Sequence, residues 1–358
     1  MEEPTKTMTI CCVVLLATLF STAGAAAKEA VVLYGGTQEP YLHLVSLGGE
    51  ITPLGPARFR ERVSAEVMDM PDGRFGLLWL ERSGQTGIML GRTATTDIDQ
   101  RFPEPRREGG RMRLADPVLD PAATRLAYLS GALWVQELNG LNAPKKVFEA
   151  DGPLSSPSWS PDGSRIAFFH AEPWTEGEPY RYRLLVVHVD TGQVKELAPY
   201  SKSYGTWMDG TISPPAWRPN GKAIFFRATY EPEDVVKTRR GFIYAVSPEG
   251  GPVVKMTEGS QPMVHPDGDR LYCRRSARYP GGAGTVVYDL AKDTEVLREG
   301  LYLHKISPSG RYLACWQRPP DRSYSMTTEI TLADKEGQVI KTIETGQSLG
   351  RVIGWTEE

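Results

Sequence analysis

Apolar residues spaced two apart, interrupted by a proline-led turn, recur along this chain. In "PSWSPDGSRIAFF", Trp159 lies two residues before Pro161, and Ile166 and Phe168 lie five and seven after it. "WRPNGKAIFF" repeats the arrangement with Trp217, Pro219, Ile224 and Phe226. "VHPDGDRLYC" supplies Val264, Pro266, Leu271 and Cys273, and "ISPSGRYLAC" supplies Ile306, Pro308, Leu313 and Cys315. "MDMPDGRFGLLWL" turns at Pro71 with Gly76 at the fifth position, and "LDPAATRLAY" is a degenerate copy at Pro121. Period-two alternation on both sides of a turn predicts a β-hairpin in each copy, not a helix.

The turn residues are those that backbone geometry demands. Proline presets φ, Asp or Asn bonds the local backbone, and glycine takes the positive φ that a side chain resists. Asp162 becomes Asn220 and Ser309 in other copies, all turn formers. A catalytic carboxylate would not tolerate that exchange, so Pro161-Asp162-Gly163 is read as architecture.

Successive turn prolines lie 50, 40, 58, 47 and 42 residues apart. Third strands follow each hairpin ("GIMLGRT", "ALWVQEL", "LLVVHV", "GFIYAVS", "TVVYDL", "EITLAD"), and fourth strands follow those ("KKVFE", "VKELA", "VVKMT", "TEVLRE", "VIKTIE"). Four antiparallel strands at this period make the blade of a β-propeller. At the ends, "VVLYGG", "YLHLVSL" and "EITPLG" supply three strands and "RVIGWTEE" a fourth, with Trp355 in the register of Trp159 and Trp217. The expected fold is all-β, a seven-bladed β-propeller closed by a composite blade of N- and C-terminal strands. Six and eight are the alternative counts.

"SPSWSPDGSRIAFF" and "SPPAWRPNGKAIFF" resemble the bacterial TolB-type propeller repeat, a Pro-Asp-rich relative of the WD repeat. Related repeats form the propeller domains of prolyl oligopeptidase and dipeptidyl peptidase enzymes. The resemblance covers nearly all of the chain after the leader, and no stretch reads as an attached hydrolase domain. It implies a fold and leaves function open, because this architecture hosts adaptors, lectin-like binders, lyases and gating domains.

Composition adds compartment. "MTICCVVLLATLFSTAGAAAKEA" reads as a secretory signal with a small-residue cleavage site at Ala25-Ala26-Ala27. Residues 1–27 are therefore expected to be a signal peptide and 28–358 a single propeller domain, periplasmic or secreted, with a retained anchor as the alternative. Neither Cys11 nor Cys12 reads as a lipoprotein attachment site. A formal charge of −3 gives no electrostatic reason to expect nucleic acid or a membrane surface as partner. Cys273 and Cys315 occupy equivalent positions of neighbouring repeats, where stacked sheets hold Cα atoms about 10 Å apart, so both are read as buried core thiols and not a disulfide.

Candidate chemistry is sparse. Gly346-Gln347-Ser348-Leu349-Gly350 matches a nucleophile elbow, but it lies in what reads as the loop before the closing strand, and no histidine follows it. His43, His170, His188, His265 and His304 stand at no ligand-pair spacing. His265 and His304 lie on or beside first strands, which line the channel, so they are the alternative metal pair; the primary expectation is no metal and no cofactor.

The long loops on one face carry the binding signal. They supply Trp174, Tyr180, Tyr182, Tyr200, Tyr204, Trp207, Tyr230, Arg239, Arg240, Arg278, Tyr279, Arg322 and Tyr324, residue types that dominate binding hot spots. The alternative is that these aromatics fold down as caps on the blades. The expected function is non-catalytic binding through this face; the resemblance to TolB-type proteins implies a protein or cell-envelope component as the partner, with a glycan as the other ligand class. A metal-dependent polysaccharide lyase or hydrolase, and a lectin-like binder using Trp174 and Trp207, are the alternatives.

Overall fold

The computed structural model describes residues 29–35, 41–54, 67–69, 74–80, 86–92, 98–103, 115–138, 142–173, 175–176, 180–203, 213–230, 240–276, 281–317 and 327–357. The expected leader lies outside them. Among the described residues there is no helix long and apolar enough to cross a membrane.

All described elements are strands. The first three are β1 (Glu29–Gly35), β2 (Tyr41–Ser46) and β3 (Ile51–Leu54). A four-stranded sheet follows: β4 (Val67–Asp69), β5 (Arg74–Leu80), β6 (Thr86–Arg92) and β7 (Ile98–Pro103). The next has β8 (Ala115–Leu119), β9 (Arg125–Leu129), β10 (Leu133–Glu137) and β11 (Lys145–Phe148). The third contains β12 (Leu154–Trp159), β13 (Arg165–Ala171), β14 (Tyr180–His188) and β15 (Val194–Glu196), with β16 (Ser201–Ser203) added on β14. Then come β17 (Ala216–Trp217), β18 (Ile224–Ala228), β19 (Phe242–Val246) and β20 (Val254–Glu258). The fifth set is β21 (Ser260–Val264), β22 (Arg270–Arg275), β23 (Gly284–Asp289) and β24 (Thr294–Glu299).

The last strands are β25 (Leu301–Ile306), β26 (Leu313–Gln317), β27 (Thr327–Ala333) and β28 (Val339–Glu357). They join β1 to β3 in one seven-stranded sheet, ordered β25-β26-β27-β28-β1-β2-β3. The first part of β28 pairs β27, as in Ile330↔Ile343, and the last part pairs β1, as in Val31↔Trp355. Divided at β28, this sheet is two sets of four strands that share one strand. The composite of N- and C-terminal strands is present as expected. "TGQSLG" differs from expectation: it lies within strand β28, with Leu349 opposite both Thr327 and Gly35 and the four residues before it taken up in a register shift. An extended strand cannot form a nucleophile elbow.

The repeat positions do what their spacing predicts. Ile166, Phe168, Ile224, Phe226, Leu271, Cys273, Leu313 and Cys315 are all buried between sheets. Cys273 and Cys315 are free thiols. Each turn closes in the same way: the Gly163, Gly221, Gly268 and Gly310 N–H groups donate to the carbonyl three residues back at 2.8–2.9 Å. Asp162, Asn220, Asp267 and Ser309 accept the backbone N–H two residues on, at 3.0–3.1 Å. In the degenerate copy Ala123 takes the glycine's place at φ +52°.

Inner strands carry a bulge that the sequence disguised. Register shifts fall between Ala115 and Val118, Ser155 and Ser158, and Ser260 and Met263. Asp116, Ser156 and Gln261, each directly before a repeated proline, have φ of +48°, +54° and +55°. Residues before proline ordinarily stay extended. Two of these bulges are held from the preceding blade: Ser156 N–H donates to Asp116 Oδ2 at 2.7 Å, and Gln261 N–H to Ser213 Oγ at 3.1 Å.

Candidate functional site

The best-defined part of the loop face is the seam between the β12–β15 and β17–β20 sheets. Here the outer strand is interrupted. β15 pairs Leu185 to Val187 of β14, and the Leu197 N–H still donates to the Leu184 carbonyl, with Leu197 and Ala198 buried. The chain then leaves the strand through Pro199 and Tyr200, and β16 resumes the pairing with Tyr180 to Tyr182. Tyr200 is thereby set beside the early part of β14, where Arg181 and Arg183 share one face because strand side chains alternate.

Both guanidinium carbons lie 5.0 Å from the centre of the Tyr200 ring. Arg181 pairs with Glu172 at 3.3 Å and Arg183 with Glu196 at 2.6 Å. Arg183 Nε also donates to His170 Nδ1 at 3.4 Å, and His170 Nε2 meets the Asp151 carbonyl at 2.7 Å. An accepting Nδ1 places a hydrogen on Nε2, which then donates to the Asp151 carbonyl. Burial raises the Tyr200 phenol above its ordinary value, and Arg183 opposes the rise.

Tyr230 reaches the same seam from the next blade. Its hydroxyl donates to the Pro199 carbonyl at 3.1 Å, and its ring packs edge-on to Tyr244 at 4.9 Å. Ser201 and Thr229 bind reciprocally: Ser201 Oγ donates to the Thr229 carbonyl and accepts the Thr229 N–H at 2.8 Å. Arg240 is ion-paired to Glu258 and lies over Phe242 at 5.9 Å. Tyr200 and Tyr230 are thus brought onto one seam. Tyr230 lies down on its blade, whereas Tyr200 stays half-buried with two exposed-edge arginines around it.

Tyr180 opens β14 opposite Ser203. Tyr182 departs from the loop reading, being 1 % exposed and edge-on to Phe169. It is a core residue because β14 starts earlier than its apolar run suggests. Trp174, Tyr204, Trp207, Arg239, Arg278, Tyr279, Arg322 and Tyr324 lie outside the described residues. The sequence reading missed Arg181 and Arg183, whose alternation around Tyr182 in "YRYR" was the available signal.

His265 and His304 have different settings. His265 sits in its turn, 4 % exposed, with Nε2 against the Gly310 carbonyl at 2.8 Å and Nδ1 at 2.6 Å from Asp267. His304 is the bulge residue of β25, between Leu303 and Lys305. Among the described residues the one cluster with metal-ligand spacing is His265, Asp267 and Asp269, which does not include His304. A cation already serves its carboxylates: Lys335 Nζ lies 3.2 Å from Asp267 and 3.1 Å from Asp269. Arg270 adds a second, 3.2 Å from Asp269. The arrangement is a salt-bridged turn.

No family model matches the chain. Solved structures do. TolB from Acinetobacter baumannii is similar at TM-score 0.51 and 16 % identity, over 91 % of this chain and 82 % of that one. An oligogalacturonate lyase in complex with manganese is similar at 0.56 and 12 %, over 88 % and 85 %. A Mycobacterium tuberculosis puromycin-hydrolyzing peptidase is similar at 0.58 and 15 %, over 90 % of this chain and 54 % of that one, so the chain spans about half that enzyme's length. At such identities likeness speaks for fold alone, and the similar structures include a lyase and a peptidase beside TolB. The chain has the all-β architecture of the TolB-type propellers.

Proposed function

We propose that the chain is an exported, non-catalytic β-propeller that binds a protein or cell-envelope partner through its loop face, with residues 1–27 as leader and 28–358 as one seven-bladed domain. The observation that carries this reading is the Tyr200 ring held between Arg181 and Arg183 where the outer strand breaks. Aromatic and guanidinium groups on a rigid scaffold offer large contact area at small ordering cost. Periplasmic or secreted placement fits both the leader and the likeness to TolB. The metal-dependent lyase reading has less support, because His265 spends one ring nitrogen on Asp267 of its own turn and the other on the Gly310 carbonyl of the next blade.

The test compares residues 28–358 with Tyr200→Ala and Arg183→Ala variants in capture from the envelope fraction of the source cell. A protein retained saturably by the parent, and weakened about tenfold or more by either variant, supports the reading; this is the loss expected of a hot spot of about 1.4 kcal/mol or more. Equal retention by parent and variants overturns it.

A further inference from the structure

The turn glycines form a series across successive blade boundaries, and one boundary breaks it. Arg125 of β9 crosses to the next blade, donates to the Gly163 carbonyl at 2.6 Å and lies 4.8 Å over the Trp159 ring. Arg218 Nε donates to the Gly268 carbonyl at 3.1 Å, and His265 meets the Gly310 carbonyl at 2.8 Å. In each case a nitrogen-bearing side chain of the preceding blade caps the turn.

Between β12–β13 and β17–β18 the same elements recur without the cap. Trp217 takes the place of Trp159, donating its indole N–H to Ser158 as Trp159 donates to Val118. Gly221 takes the place of Gly163, with the same turn and φ of +70°. Arg165 stands at the repeat position of Arg125, but it reaches to Glu249 at 2.5 Å instead. Among the described residues no side chain donates to the Gly221 carbonyl, and nothing lies within 4 Å of where a Cβ would sit on Gly221. What remains is a cleft of about 350 Å³ lined by Asp162, Arg165, Trp217, Asn220, Gly221 and Glu249.

We propose that this cleft is a recognition site for an arginine side chain presented by a polypeptide partner. The chain itself shows what such a place accepts, since Arg125 fills the copy one blade earlier through a tryptophan face and a glycine carbonyl. A guanidinium gains from both contacts, stacking on indole while its planar fork donates in plane. Two carboxylates, Asp162 and Glu249, are in its lining; Arg165 ion-pairs with Glu249 and acts on Asp162 from farther away, while Asp162 accepts from Ser160 and Ser164. The cleft exceeds what a guanidinium fills, leaving room for the aliphatic stem and adjoining backbone. The site is on the tight-turn face and stands independently of the loop-face reading.

The experiment uses residues 28–358 labelled with [15N]tryptophan, the Trp217 indole signal being identified by its absence in Trp217→Phe. The probe is the blocked tripeptide acetyl-Gly-Arg-Gly-amide, with the citrulline tripeptide and blocked arginine alone as controls. The expected result is a saturable shift of the Trp217 signal with the arginine tripeptide, a weaker one with blocked arginine, and none with citrulline. The Trp159 signal stays still, because Arg125 occupies its copy. Glu249→Gln releases Arg165 to fill the cleft and weakens binding about tenfold, whereas Arg165→Ala retains it. Equal shifts from citrulline, equal movement of Trp159, or no shift in either the parent or Arg165→Ala overturns the proposal. Blocked arginine binding as tightly as the tripeptide overturns the polypeptide assignment.

Discussion

Trp217 donates its indole N–H to the Ser158 carbonyl at 3.1 Å, across the boundary between two sheets. Trp159 makes the same bond to Val118, also at 3.1 Å. Trp159 and Trp217 are therefore both core and fastening, which apolar spacing alone does not reveal. Trp159→Phe keeps an aromatic ring in the core but removes the donor and part of the indole, leaving the Val118 carbonyl without its partner. A loss of about 1–3 kcal/mol is expected, read as a lower urea midpoint at unchanged slope.

Gly152 tests a close backbone approach. Its φ is +101°, and a Cβ there would lie 2.2 Å from the Ala171 carbonyl oxygen. Gly251, at φ +115°, faces open space. Both alanine variants carry the strain of positive φ, about 1–3 kcal/mol. Only Gly152→Ala must also displace backbone, so its thermal midpoint falls further than that of Gly251→Ala. Equal midpoints would mean that the strand end yields without cost.

Asp162 gives an acid-range signature. Ser160 Oγ and the Ser164 N–H hold its carboxyl at about 2, below the ordinary 3.8. A group whose pKa is depressed by folding stabilises the fold above its unfolded value, and that contribution fades as pH falls through the folded value. Asp162→Asn keeps the turn acceptor, as Asn220 does natively, and removes the charge. The stability gap between parent and variant should be full above about pH 4 and vanish towards pH 2. A gap unchanged across that window would show that the charge contributes nothing.

The thiols of residues 28–358 should be silent while the protein is folded. Cys273 and Cys315 are each 1 % exposed, and burial pushes the Cys273 thiol up to about 12. The thiolate is the reacting species. A chromogenic thiol reagent at pH 8 should find no fast-reacting group in the native protein and both after denaturation. Rapid native labelling would contradict the packing.

Most of the fold was readable because the turn chemistry repeats. Pro, then Asp, Asn or Ser, then Gly is a local code, and the apolar pairs flanking it set register without reference to distant chain. β7 escaped notice since "IDQRFP" offers only Ile98 and Phe102 as apolar marks within a polar run. The glycines of "TGQSLG" read as loop punctuation, yet Leu349 pairs on both sides and carries the segment within β28. The seam at Tyr200 was half readable. Tyr200 and Tyr230 stood out by residue type, but their meeting depends on Pro199 and Thr229 being set across a blade boundary, which is a tertiary fact. The bulges at Asp116, Ser156 and Gln261 ran against local expectation altogether, since each sits before a proline.

Strand β28 has one more consequence, for the order of events during synthesis. Ala30 pairs with Thr356, so β1 has no inner neighbour until almost the whole chain has been made. The early strands must wait, exposed along one edge, while sheet after sheet is completed behind them. Closing so long a loop adds only a logarithmic entropy cost, and the pairing that closes it joins the two ends of the described chain. The ring is a circle only once its last strand has been drawn between two sheets, and shortening β28 would open both at once.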